Sequence, residues 1–201
     1  MTAVVLTPVV EIGPADFVPV EQLTDQTLRA LVHETLDGAD LATDPDEIPM
    51  LAGGYALSRA GGPTLTPGCC SDLGDLDSWV SAVNCPEGGW TLLWTGHPST
   101  AVRRRNGWLE LSEPTDGPVP TDATLPVITR VRPGELEQAV AAAGAARDRF
   151  ADRLTAVLRR EFDRERQSGR ERESDRGREL SAEAAIEHDL GPIVHALLGR
   201  P

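Results

Sequence analysis

The residues after Pro133–Gly134 constrain the fold most strongly, because one long helical pattern there follows a region of strand patterns. Apolar side chains recur at three- and four-residue steps from Leu136 to Leu158, among arginines and acidic residues. This spacing predicts one amphipathic helix over residues 135–166, whose apolar stripe needs a partner surface or a second copy of itself. The stretch 167–180 is charged and nearly devoid of apolar residues, which is typical of a frayed helix or a linker.

Residues 1–132 carry short strand patterns with two helical segments between them. Asn106–Gly107 is typical of a type I′ turn and predicts a hairpin, and Pro8 predicts that the first strand lies at a sheet edge or bends. In GWTLLWT, Trp90, Leu92 and Trp94 are expected to share one face of a strand. The remaining strand patterns are residues 4–12, 50–58 and 125–131, and the helical patterns are 25–37, with Thr24 as cap, and 71–83.

These patterns predict an α+β protein, with a small mixed or antiparallel sheet and packed helices, followed by a long C-terminal helix and a short helical tail. We divide the chain into an α+β domain (1–132), the long helix (133–166), a charged linker (167–180) and a C-terminal helical segment (181–201). Gly191–Pro192 predicts a break between two short helices in that last segment, which is expected to dock through Ile186, Leu190, Ile193, Val194, Leu197 and Leu198.

The charge of the chain is negative and unevenly distributed. The net charge is −13, and residues 1–100 contain two arginines against fourteen acidic residues. Such a field disfavours nucleic acid and anionic membranes and favours a basic protein partner, although solubility alone also explains it. The basic run Arg103, Arg104 and Arg105 predicts a solvated strand end, or a contact for an acidic segment or a phosphate.

The location of the protein is predicted from two observations. No stretch has the pattern of a signal peptide or the roughly 18 consecutive apolar residues that span a bilayer. The three cysteines are an odd number and two of them are adjacent, which favours reduced thiols. We therefore expect a cytoplasmic protein.

Residues 68–98 concentrate the chemically distinctive side chains, with all three cysteines, three of the four tryptophans and His97. A metal site would draw on Cys69 or Cys70, with Cys85, His97 and Asp72, but the paired-cysteine spacing of structural zinc sites is missing. A nucleophilic thiol would use His97 as its base, although nearby aspartates oppose thiol ionisation.

A third interpretation is structural, with the cysteines buried beneath the helix of residues 71–83 and Trp79 covering them. We assign no catalytic residue, no metal and no cofactor. The hypothesis that follows is an acidic protein-recognition module, with a thiol- or metal-dependent enzyme centred on Cys69, Cys70 and His97 as the alternative. The candidate binding residues are Cys69, Cys70, Asp72, Trp79, Trp94, His97 and Trp108, and the helix of residues 135–166 can also self-associate.

The run PGCCSDLGDLDSW, followed by a tryptophan-bearing strand and WTGHP, resembles a recurring pattern in small uncharacterised bacterial proteins. The resemblance covers about residues 50–112 and implies no activity. In size, acidity and fold class the chain is also similar in character to immunity proteins of bacterial toxin systems, without a shared motif.

Overall fold

The computed structural model describes residues 3–36, 48–119, 122, 124–174 and 190–199, with the backbone alone for 165, 166 and 168–174. Within these residues the chain forms two antiparallel sheets, four α-helices and a short 3₁₀ helix. The predicted α+β class is therefore confirmed, including the long helix and the short C-terminal helix. No helix in the described ranges has both the length and the apolar character needed to cross a bilayer.

The first sheet has three strands in the order β2-β1-β3. They are β1 (Val4–Gly13), β2 (Asp16–Pro19) and β3 (Gly53–Arg59). The prediction that Pro8 places β1 at an edge is wrong, because β1 is the central strand. The Pro8 carbonyl accepts a hydrogen bond from the Val20 N–H at 3.0 Å, so the nitrogen of Pro8 also faces the β2 side. Because this nitrogen faces away from β3, the missing N–H of Pro8 removes no bond to β3. It removes no bond from the β2 ladder either, since that pairing starts only at Val9.

The second sheet has four strands in sequence order. They are β4 (Thr91–Leu93), β5 (Thr100–Arg105), β6 (Trp108–Ser112) and β7 (Val127–Val131). Asn106 and Gly107 both have positive φ, at 53° and 74°, which confirms the type I′ turn. The predicted alternation around β4 is wrong, since Leu92 is 49% exposed while Trp90 and Leu93 are buried. Because β4 spans only three residues, Trp90 lies outside it.

The first α-helix and the 3₁₀ helix begin at residues whose side chains accept hydrogen bonds from their first N–H groups. In α1 (Asp25–Leu36), the Thr24 hydroxyl accepts from the Thr27 N–H at 3.0 Å, as predicted. Asp72 caps the 3₁₀ helix Leu73–Asp75, which leads directly into α2 (Leu76–Val83). The long helix α3 (Pro133–Ser174) continues eight residues beyond its predicted end, and α4 (Gly191–Leu197) begins at Gly191–Pro192.

The apolar stripe of α3 is buried against β1, α1, α2 and α4. Its side chains belong to one hydrophobic core together with residues of both sheets. The buried residues of α3 are Leu136, Ala139, Val140, Ala143, Ala146, Phe150, Leu154, Val157 and Leu158. Arg153 adds a polar connection, because its guanidinium bonds the Asp25 carboxylate at 2.8 and 2.9 Å at the start of α1.

The C-terminal helix α4 completes this core. Leu190, Ile193, Val194 and Leu197 are buried, as predicted, and Leu198 is partly buried, whereas Ile186 lies outside the described residues. The Leu51 N–H donates to the Leu197 carbonyl at 2.9 Å. The chain then turns at Gly199, which has φ +83°. The Asp72 carboxylate lies where a side chain at position 199 would be, so a larger residue would overlap it.

Leu197→Ala tests whether α4 is part of the core. Leu197 is fully buried, and we expect the substitution to lower the free energy of unfolding by about 2–5 kcal/mol. Leu92→Ala removes the same atoms from a half-exposed position and should change stability by no more than ~0.5 kcal/mol. Urea denaturation measures both, and equal small effects would contradict this packing of α4.

Candidate functional site

Two loops meet side by side at Cys69 and His97 through an isolated antiparallel bridge. The Cys69 N–H donates to the His97 carbonyl at 3.0 Å, and the His97 N–H donates to the Cys69 carbonyl at 2.8 Å. One residue earlier, the Gly68 N–H donates to the Thr95 carbonyl at 2.6 Å. Backbone hydrogen bonds therefore fix the relative position of the two loops.

Glycines allow this close approach on both sides of the bridge. A side chain at Gly68 would overlap the backbone of His97, and one at Gly96 would overlap the carbonyls of Gly68 and Cys69. Gly96 also has φ +91°, a conformation that other residues rarely adopt. The sequence around the bridge is therefore restricted by backbone contact.

The bridge brings two thiols and an imidazole together. One ligand atom each from Cys69, Cys70 and His97 lies within 4.8 Å of the other two, and all three residues are exposed. Cys70 has φ +62°, which costs a residue with a side chain roughly 1–2 kcal/mol. In a strand, successive side chains point to opposite sides, and the left-handed conformation of Cys70 departs from that geometry. Backbone strain of this kind is concentrated at functional positions.

The surroundings of Cys70 do not favour a nucleophilic thiol at that position. A hydrogen bond with the Cys69 thiol raises the pKa of Cys70, and the neighbouring Cys69 charge and burial raise it further. A nucleophilic cysteine needs a lowered pKa. The first residue of α2 is Leu76, so the cysteines also lie outside the first turn of that helix.

Trp94 supports the imidazole from one side. Its ring meets that of His97 edge-on, with centroids 4.8 Å apart and an interplanar angle of 89°. Burial raises the pKa of Asp75, while hydrogen bonds from the Asp72 backbone and from the Trp94 side chain oppose that rise. Trp94 thus connects His97 to Asp75, which belongs to the 3₁₀ helix that Asp72 caps.

Four of the predicted site residues do not join the cluster, and one of them, Trp108, lies on the second sheet. Asp72 serves as a cap, because its carboxylate accepts from the Gly74 N–H at 2.6 Å, and burial raises its pKa. Trp79 is 1% exposed and Cys85 is 4% exposed, so both lie in the core. The interpretation that buries the paired cysteines is wrong, since Cys69 and Cys70 are exposed, and it holds only for Cys85.

A second group of charged side chains lies on the face of the second sheet that carries Arg103. Strand register places Arg103, Glu110 and Arg130 opposite one another on β5, β6 and β7. Glu110 is 4% exposed and contacts both arginines, at 2.7 Å from Arg103 and 2.9 Å from Arg130. In the next row of side chains on the same face, the register pairs Arg105 of β5 with Trp108 of β6.

Two tryptophans form cation–π contacts with arginines on this face. The guanidinium of Arg103 lies 4.4 Å from the Trp90 ring, and that of Arg132 lies 3.6 Å from the Trp108 ring. Trp108, predicted as a binding residue, is thus half-buried beneath Arg132. The basic run of the sequence predicted Arg103 and Arg105, whereas Glu110, Arg130 and Arg132 were not among the predicted residues. The alternation of charged residues across the Asn106–Gly107 turn is the signal that would have placed Glu110 beside Arg103.

Glu110 stays ionised despite its position. Burial opposes ionisation, but hydrogen bonds and charges from Arg103 and Arg130 outweigh it and hold the pKa of Glu110 below its ordinary value of 4.5. The folded-state pKa is therefore lower than the unfolded one. The resulting stabilisation is complete above about pH 4.5 and is lost as the pH falls through the folded-state pKa.

Glu110→Gln tests this linkage. We expect it to lower the free energy of unfolding by about 1.5–3 kcal/mol at pH 7, because hydrogen bonds to charged groups are lost. The difference from the unsubstituted protein should shrink below about pH 4.5, as Glu110 becomes protonated. Denaturation from pH 7 to 3 measures it, with the exposed Glu113→Gln as control. A difference independent of pH would contradict the assignment.

Known proteins offer no guide to this chain. Comparisons with protein-family models, with curated proteins and with solved structures each find no match.

Proposed function

We propose that this protein binds a thiophilic transition-metal ion, such as Zn²⁺, through Cys69, Cys70 and His97. The observation that carries the proposal is the mutual distance of at most 4.8 Å among the three ligand atoms. Two thiolates and one imidazole form a donor set that Zn²⁺ and related ions prefer. A metal between them would draw the atoms closer, since Zn–S and Zn–N bonds are about 2.0–2.3 Å long.

The donor set leaves one coordination position for another ligand. Tetrahedral zinc takes four ligands, and sites with three protein ligands hold water or a substrate in the fourth position. The three ligand residues are exposed, so that position is accessible from solvent. The proposal is thus a surface metal site with an exchangeable ligand.

The scaffold supports this function through preorganisation. The hydrogen-bonded Cys69–His97 bridge fixes the backbones of two ligand residues before any metal binds, which reduces the ordering cost of binding. Trp94 restricts the ring of His97 in the manner of an outer-shell residue. This proposal develops the metal-dependent alternative of the sequence analysis, with Cys70 taking the place of Cys85 and without Asp72.

Metal titration tests the proposal. Reduced protein is expected to bind one Co²⁺ with thiolate charge-transfer absorption, and Zn²⁺ should displace it. Cys70→Ser and His97→Gln should each weaken binding by at least about tenfold, because a ligand is lost. Competition with a chromophoric chelator measures the affinity.

Two variants outside the cluster serve as controls. His195→Gln removes an exposed imidazole from α4, and Cys85→Ala removes the buried thiol. Neither should alter the stoichiometry or the affinity. If no ion binds, or if all four variants bind equally well, the proposal is wrong.

Gly96→Ala tests the role of the bridge separately. The new methyl group would overlap the Cys69 carbonyl, so we expect the loops to separate and the Zn²⁺ affinity to fall about tenfold or more. Gly61→Ala is the matched control, since Gly61 also has positive φ but no atom lies within 4 Å of the added carbon. Equal metal affinities in the two variants would show that the bridge does not position the ligands.

A further inference from the structure

The Arg103 face of the second sheet is basic, in contrast to the chain as a whole. Arg103, Arg105, Arg130 and Arg132 lie in two adjacent rows, and Glu110 is the carboxylate that the strand register places among them. Glu87 and Glu135 lie at the rim, where they accept from the N–H groups of Gly107 and Arg132. The face therefore has a local positive charge within a protein of net charge −13.

We propose that a groove on this face binds an extended acidic segment of a partner protein. The groove consists of two adjoining cavities of about 430 and 530 Å³ that share Arg130. Arg105, Asn106, Trp108 and Glu110 line the smaller cavity with it. The larger cavity runs between the turn Arg59–Pro63 and the edge strand β7.

The arginines differ in their availability to a ligand. Arg103 contacts Glu110 through two nitrogens and is therefore largely neutralised. Arg130 contacts Glu110 through Nε at 2.9 Å and its side chain is 62% exposed, so much of it remains accessible to a ligand. Arg105 is exposed, and its side chain has no hydrogen bond or ion pair with any described residue. Arg105 and Arg130 are thus suited to bind carboxylates, through the planar fork of the guanidinium.

The shape and the charge of the groove favour an acidic peptide. Val127, Ile128 and Pro63 give the larger cavity apolar lining beside a sheet edge, a setting that suits an extended segment. A long nucleic acid would meet the net charge of −13, whereas a short acidic segment needs only the field within about 8 Å, the screening length at physiological salt. The overall charge of the chain favours a basic partner, whereas the local field of this face favours an acidic one.

Fluorescence anisotropy with a fluorescein-labelled oligoglutamate peptide tests the proposal. We expect saturable binding that weakens with salt. The affinity should fall about tenfold in Arg105→Gln, because the substitution removes the positive charge of a side chain that has no described partner. Arg130→Gln should act in the same direction, and thermal melting reports whether that variant remains folded. Arg149→Gln is the matched control, because Arg149 is an exposed arginine on α3 that pairs with Glu21.

Three outcomes would overturn the proposal. The first is the absence of saturable binding. The second is an equal loss in Arg149→Gln and Arg105→Gln, which would show attraction without a site. The third is tighter binding of a labelled oligothymidylate of matched charge, which would identify a nucleic-acid surface. Selective loss in Arg105→Gln, with preference for the peptide, supports the proposal.

Discussion

Burial of the apolar stripe of α3 is the interaction on which the rest of the structure depends. The stripe contacts the central strand β1 and three other helices, and its residues share one core with both sheets. A helix with this pattern has little stability alone, since most helical stability comes from tertiary packing. The same packing holds α2 and α4 in place, and with them the Asp72 cap that Gly199 contacts.

The two proposed sites use one physical device in different ways. In each, backbone pairing fixes residues that are distant in sequence and leaves functional groups at the surface. The Cys69–His97 bridge sets two ligands of opposite loops side by side, and strand register sets Arg103, Glu110 and Arg130 in one row. Their electrostatics differ, because the thiols of the cluster would lose their protons on the proposed metal binding and the imidazole would stay neutral, whereas the sheet face holds fixed positive charge.

Local pattern was sufficient where neighbouring residues determine the conformation. Thr24 capped its helix and Asn106–Gly107 formed the predicted turn, because both depend on hydrogen bonds or backbone angles within a few residues. The edge position predicted from Pro8 was wrong, since the effect of a proline depends on which side of β1 its nitrogen faces and on where β2 ends. The shared face predicted for Trp90 and Leu92 was wrong because β4 is too short to impose alternation on them.

By itself the sequence determined the α+β class, the long helix and the residue types available for chemistry, because periodicity and capping are encoded in short windows. Only the tertiary structure decided which of these residues meet. It exposed Cys69 and Cys70 beside His97, buried Cys85 and Trp79, and placed Arg130 beside Glu110. The physical reason is that pairing between loops and strand register depends on contacts between distant segments, which no local pattern specifies.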